Sequence, residues 1–220
     1  MKRTVFVGLA LAAASGLGSA QLAGTYTIGT TGATYSSFKA ATVDVYLQGV
    51  SAPVRFLALP GIYKESFFWF PASGASATNN IMVHNPIGKG VRLEGAGSDI
   101  VTILGSAGQP SSWVTGDGIE FDNAPGAAIF NNQQVANRWE FRNCVFGPTF
   151  GKSGGSYVAT FYMNSGSQNR TDDWNIHHCK FTLPQSSSSY DGSFFYSQGI
   201  YRWDVHHNEE IGRALCRERV

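Results

Sequence analysis

Carboxylate, imidazole and guanidinium side chains recur at two fixed positions of a motif that this chain repeats. The motif alternates apolar and polar residues and begins at Val91, Ile119, Trp139, Trp174 and Trp203. Its second residue is in turn Arg92, Glu120, Glu140, Asn175 and Asp204, and its fourth is Glu94, Asp122, Arg142, His177 and His206. Carboxylates and imidazoles transfer protons in general acid–base catalysis, and arginine binds anions through its planar guanidinium. We therefore take these positions as the candidate site.

The motif predicts two short strands joined by a bend. In residues 139–146 (WEFRNCVF) the first apolar residues alternate with polar ones, which is the period of a strand with one buried face. The apolar series then resumes one residue late, after Asn143. The same shift follows His178 in residues 174–181 (WNIHHCKF). We expect the chain to bend at Asn143 and His178.

The spacing of the copies predicts a solenoid. Successive copies begin 28, 20, 35 and 29 residues apart, and little helical pattern lies between them. Repeats of this length that contain strands and bends stack as coils around one continuous core.

Stacking would place equivalent outward residues in columns about 4.8 Å apart. Glu120 would then lie beside Glu140, and two like charges at about 4 Å repel by roughly 1 kcal/mol in water and roughly 4 kcal/mol at the dielectric of a protein surface. Three remedies stay open: Arg92 and Arg142 neutralise the pair, a cation such as Ca²⁺ bridges it, or one carboxyl keeps its proton and acts as an acid.

The motif in residues 139–146 resembles the coil signature of right-handed parallel β-helices of the pectin lyase-like type. The segment 60–65 (PGIYKE), which follows an apolar strand, is similar to the N-terminal part of pectin methylesterases. The resemblance implies an all-β fold, a right-handed parallel β-helix with a short N-terminal capping α-helix. The tail of the sequence, described below, indicates that this β-helix is truncated at the C-terminus.

The predicted cap covers residues 24–50 and the coils residues 51–209. Ser36 or Ser37 can cap a helix that runs to about Gln48, with Gly49 beyond its end. Its apolar face would cover the open end of the first coil. Strands are predicted at 25–28, 54–59, 67–70, 81–83, 91–93, 101–104 and 119–121.

Both ends of the sequence differ from the repeats. Residues 1–20 have two basic residues, an apolar run and small residues, the pattern of a signal peptide, so we expect a secreted, extracellular protein. Residues 211–220 resemble a translated sequencing adapter, or they form a short basic tail. The domain at 21–210 then contains 11 basic and 14 acidic residues, so its net charge is −3. This balance gives no indication of nucleic-acid binding.

The resemblance implies that the outer face of one sheet binds or degrades acidic polysaccharide. Glu120 or Glu140 would be the proton donor and Asp122 or Asp204 the base, with His177 and His206 able to change charge near neutral pH. Arg142 would hold a substrate carboxylate, with Arg92 and Asn175 as further binding residues. The alternative is a non-catalytic surface or adhesion stalk, whose outer charges are only a solvated ladder. The sequence leaves open whether the protein is an enzyme.

Cys144 and Cys179 occupy the same motif position. In stacked coils they would be close enough for a disulfide, which an exported chain permits, or they are buried free thiols. The sequence contains no CxxC or HExxH motif, so no metal site is expected apart from the calcium alternative. We expect a monomer that binds no nucleic acid and has no membrane span, with Ca²⁺ as the one candidate cofactor.

Overall fold

A computed structural model describes residues 20–106, 108–126, 128–132, 134–148, 158–164, 172–182, 193–198 and 202–211. Of the predicted signal peptide and tail, only Ala20 and Ile211 fall inside these ranges. The elements of the described residues are β1 (Leu22–Ile28), α1 (Phe38–Gln48), β2 (Val50–Ala58), β3 (Gly61–Lys64), β4 (Phe67–Trp69), β5 (Ile81–His84), β6 (Val91–Glu94), β7 (Val101–Ile103), β8 (Ser111–Asp117), β9 (Glu120–Asp122), β10 (Ala128–Asn132), β11 (Ala136–Arg142), β12 (Val145–Phe146), β13 (Ala159–Asn164), β14 (Trp174–His177), β15 (Lys180–Thr182), β16 (Ser193–Gln198), β17 (Trp203–His206) and β18 (Glu209–Ile211).

The strands form three sheets, each built from one strand per coil. Sheet A has the order β1-β2-β5-β8-β11-β14-β17, sheet B the order β3-β6-β9-β12-β15-β18, and sheet C the order β4-β7-β10-β13-β16. Every strand pair described is parallel. The chain therefore passes from sheet A to B to C about five times, and the predicted all-β parallel β-helix is confirmed. Right-handed winding remains the expectation, because nearly all parallel crossovers have that hand.

The predicted bends are real. Asn143 and His178 both have φ of 54°, and His207 has φ of 53°. This left-handed conformation reverses the alternation of side chains, which explains why the apolar series resumes one residue late. Each bend carries the chain from sheet A into sheet B.

Aromatic side chains fill the inside of the β-helix. Trp139 and Trp174 stack with ring centroids 5.4 Å apart, and Trp174 and Trp203 with centroids 5.7 Å apart. The indole Nε1 of Trp139 donates to the carbonyl of Ser111 at 2.9 Å, so the ring is fixed to the preceding coil. Trp139 and Trp174 are buried, whereas Trp203 is half-buried. The predicted stack of the three indoles is confirmed.

The N-terminal helix is capped as predicted, with one further contact. The Ser37 side chain accepts from the backbone N–H of Ala40, and Gly49 follows the helix with φ of 70°. The Glu65 carboxylate also accepts from the backbone N–H groups of Phe38 and Lys39, at 2.9 Å each. Since the N-terminus of a helix carries partial positive charge, Glu65 ties the cap to the first coil.

Candidate functional site

The repeats do not all belong to the same sheet, and the predicted contact between Glu120 and Glu140 is wrong. Glu120 lies in sheet B beside Val145, whereas Glu140 lies in sheet A beside Thr115. The physical reason is that every coil has two alternating strands, one on each side of its bend. In the coil that contains Glu120 the bend is at Gly118, with φ of 69°, so the copy beginning at Ile119 comes after the bend.

The candidate residues therefore separate into two groups. Sheet B carries Arg92, Glu94, Glu120 and Asp122, and sheet A carries Glu140, Arg142, Asn175, His177, Asp204 and His206. The expected columns hold inside each group: Arg92 pairs with Glu120, Glu94 with Asp122, Glu140 with Asn175 and then Asp204, and Arg142 with His177 and then His206. A proton donor at Glu120 and a base at Asp204 could not act on one bond, because they lie on different sheets.

On sheet B, one guanidinium lies among three carboxylates. Arg92 is 2.9 Å from Glu120, 3.6 Å from Asp122 and 3.8 Å from Glu94, measured between nitrogen and oxygen. The hydrogen bond to Glu120 raises the pKa of Arg92, and the charges of Glu120, Asp122 and Glu94 add to the shift. Arg92 thus neutralises its own column. A negatively charged ligand would have to compete with these carboxylates for the guanidinium.

On sheet A, ionisable side chains form an unbroken chain across three coils. Arg142 Nε lies 3.0 Å from Asp117 Oδ2, and Arg142 Nη1 lies 3.6 Å from Glu140 Oε1. Glu140 Oε1 is also 3.1 Å from Nε2 of His177, while Thr115 Oγ1 donates to Glu140 Oε2 at 3.2 Å. We call this chain, Asp117–Arg142–Glu140–His177, the sheet A row. A carboxylate paired with an imidazole in this way can hold or pass a proton.

Asp117 is a member of the row that the motif does not predict. It lies at the end of β8, a strand without the motif, and also accepts from Nδ2 of Asn143 at 2.8 Å. The signal that could have identified it is local: Asp117-Gly118 precedes Ile119 as Arg142-Asn143 precedes Cys144.

His178 and His207 were likewise not among the predicted site residues. His177 and His206 stack with ring centroids 5.2 Å apart, and His178 and His207 stack at 5.3 Å. Because the left-handed bend breaks the alternation of the strand, each of these rings lies beside the preceding histidine and not on the opposite face. The result is a group of four imidazoles at the edge of the sheet A row.

Cys144 and Cys179 are free thiols, and both are buried. The Cys144 thiol donates to the carbonyl of Arg142 at 3.3 Å, and Cys179 makes the same contact with His177 at 3.3 Å. Burial raises the pKa of Cys144. The free-thiol alternative describes this structure, and neither sulfur faces the sheet A row.

Comparisons with models of protein families, with curated proteins and with solved structures gave no match to this chain. Its fold is therefore shown by its own strand pairing, and the candidate site rests on its own contacts.

In the part of the chain that the structure describes, no three histidine, cysteine, aspartate or glutamate side chains are arranged to hold a metal ion together. Within the same residues, no helix has the length and apolar character needed to cross a membrane.

Proposed function

We propose that this protein is exported and binds polysaccharide along the outer face of sheet A. The observation that carries the proposal is the sheet A row, which joins three successive coils through ionic and hydrogen-bonded contacts. Polar groups that repeat every coil, about 4.8 Å apart, suit a ligand that is itself a polymer of polar units. The signal-peptide pattern of residues 1–20 supports export.

The charges of sheet A favour a neutral polymer over an acidic one. Strands β8, β11, β14 and β17 carry Asp117, Glu140 and Asp204 outward, and of their two guanidiniums Arg138 pairs with Asp173 and not with these carboxylates. Arg142 already contacts two of those carboxylates. A polyuronate would meet net negative charge, so its binding would need a divalent cation such as Ca²⁺ between the two sets of carboxylates. Neutral sugars need only hydrogen-bond partners, which these carboxylates and Asn175 offer.

Hydrolysis of the bound polymer would use the Glu140–His177 pair. Glu140 lies between the guanidinium of Arg142, on its own strand, and the imidazole of His177, in the next coil. Because Glu140 accepts from Thr115 and lies beside Arg142, it would act as the base that activates water, and Asp204, the next carboxylate of the same column, would donate the proton to the leaving oxygen.

The test is binding of the purified protein to neutral and uronate polymers, with and without Ca²⁺, followed by assay for new reducing ends. We expect binding to a neutral glucan or mannan, lost in Glu140→Ala and Asn175→Ala. Glu120→Ala is the matched control, since it removes the same side chain from sheet B. Equal loss in Glu120→Ala and Glu140→Ala would contradict a ligand on sheet A.

The second candidate is a rigid surface rod with no ligand. It is favoured by one observation: Arg92 and Arg142 are both matched by acidic neighbours, as in a ladder that only keeps the surface soluble. Failure of every polymer to bind, together with retention of the folded state, would support the rod.

A further inference from the structure

Four of the five histidines of the chain lie in two identical pairs. The pairs are His177 with His178 and His206 with His207, one in each of two successive coils, and His84 is the fifth histidine. Within each pair the two Nδ1 atoms face each other, at 2.8 Å and at 2.6 Å respectively. The rings inside a pair are nearly perpendicular, at 82° and 85°.

The Glu140 carboxylate determines which nitrogen of His177 is free. Glu140 Oε1 lies 3.1 Å from Nε2 of His177, and a carboxylate can only accept. Nε2 therefore carries the proton, and Nδ1 of the neutral ring presents its lone pair to His178. A carboxylate that orients a histidine from behind in this way is the usual outer partner of a metal-binding imidazole.

The second pair has a carboxylate near His206, but on its own strand. Asp204 Oδ2 lies 3.9 Å from Nε2 of His206, farther than a hydrogen bond. The residue that matches Glu140 in the coil before His206 is Asn175, so only the first pair has a carboxylate in that place. In each pair one ring, His177 or His206, is partly buried, and the other, His178 or His207, is exposed and can adjust to a bound ion.

The distance between the nitrogens indicates the class of ion. At a metal–nitrogen distance of about 2.0 Å, two ligands at a right angle are about 2.8 Å apart, and two tetrahedral ligands about 3.3 Å. The observed 2.8 Å and 2.6 Å are closer to the right angle, which is the geometry of Cu²⁺ and Ni²⁺. We propose that each histidine pair chelates one late divalent transition-metal ion, Cu²⁺ or Ni²⁺ in preference to Zn²⁺. Water would complete the coordination of each ion.

The two sites are coupled by charge. The stacked rings of successive coils are 5.2 Å apart, so two bound dications would repel each other. By Coulomb's law in water we expect the second ion to bind about a hundredfold more weakly than the first. This site is independent of the polysaccharide proposal, since it requires no sugar and its readout is the metal itself.

The test is a titration of the folded protein with Cu²⁺, followed by calorimetry and by electron paramagnetic resonance. We expect two ions per chain, with nitrogen coupling in the Cu²⁺ spectrum. His178→Gln and His207→Gln should each leave one site, and the double variant should lose binding by a factor of a hundred or more. His84→Gln is the control and should bind as the unchanged protein does.

Two results would overturn the inference. One is Cu²⁺ binding that is the same in the double variant and in the unchanged protein; the other is a Cu²⁺ spectrum without nitrogen coupling. Because His178 and His207 are exposed, we expect both variants to fold, and circular dichroism checks this. Glu140→Ala is a second test. It should lower the Cu²⁺ affinity of the site at His177 about tenfold and leave the affinity of the site at His206 unchanged.

Discussion

The indole rings of Trp139 and Trp174 lie parallel, with 5.4 Å between their centroids and 9° between their planes. Both rings are buried, and both Nε1 atoms donate to a carbonyl of the preceding coil. The pair therefore holds two coils together by packing and by hydrogen bonding at once.

Trp174→Ala should lower the free energy of unfolding by about 3–5 kcal/mol, because it leaves a cavity and removes the hydrogen bond from the indole to the carbonyl of Ala136. Urea unfolding followed by circular dichroism measures the change. Phe68→Ala is the control: Phe68 is 52% exposed, so its loss should cost less than about 1 kcal/mol. Similar losses in the two variants would contradict the stacked core.

Asn143→Ala should destabilise the protein more than Asn143→Gly. Asn143 has φ of 54°, and its amide donates to Asp117 at 2.8 Å. Both variants lose that hydrogen bond. Only the alanine variant is also destabilised by the left-handed backbone conformation, by about 1 kcal/mol, because glycine adopts it without strain. Thermal unfolding of the two variants ranks them, and the reverse order would show that the bend is not left-handed.

The protein should lose stability above about pH 10, the usual pKa of tyrosine. Burial is the main cause that raises the pKa of Tyr35, whose hydroxyl donates to Asp44, and of Tyr63. In the unfolded chain these tyrosines release protons first, so unfolding is favoured as pH rises, by at most about 1.4 kcal/mol per pH unit for each tyrosine.

The double variant Tyr35→Phe/Tyr63→Phe should flatten this alkaline decline in a series of urea titrations. Tyr46→Phe, at a half-exposed ring, is the control and should keep the decline of the unchanged protein. An identical decline in all three proteins would assign the effect to other groups.

Arg92→Gln should make stability depend on salt. Without the guanidinium, Glu94, Glu120 and Asp122 repel one another on sheet B, and salt screens that repulsion. We expect a loss of less than about 1 kcal/mol at low salt that is largely recovered at 1 M. Lys89→Gln, on an exposed turn, should show no such recovery; equal salt responses would contradict the prediction.

Native Cys144 and Cys179 should resist a thiol reagent such as a disulfide dye, because both are buried and burial raises the pKa of Cys144. In the background of Cys216→Ser, the two thiols should react only after denaturant is added. Immediate reaction would show that the two thiols are accessible. A mass two hydrogens below that of the reduced chain would show that they form a disulfide.

The local pattern predicted most strands of sheets A and B, the bends and the capping helix, because each is determined by residues close in sequence. Repetition of the motif predicted the indole stack. Strands β10, β13 and β16 of sheet C, which carry no copy of the motif, were not predicted. The local pattern did not predict which sheet a copy of the motif joins, because apolar and polar residues alternate in the same way in the strands before and after a bend. β8 was missed for a packing reason. At the position where β11 has Phe141, β8 has Gly116, and the ring of Phe141 occupies the space that a side chain there would fill.

Two contacts, one in the sheet A row and one in the N-terminal cap, are encoded by no local pattern. Asp117 and Arg142 are brought together only by the register between β8 and β11. The carboxylate of Glu65 accepts a hydrogen bond from the backbone N–H of Phe38, the first residue of the helix. Both contacts join segments more than 20 residues apart in the sequence.

The three sheets keep their register although the segments between sheets B and C differ widely in length, from residues 65–66 after β3 to residues 147–158 after β12. Length can therefore change at these corners without moving a strand. New loops could be grafted there while the scaffold stays intact, so the corners are natural positions for evolution or engineering to add recognition segments.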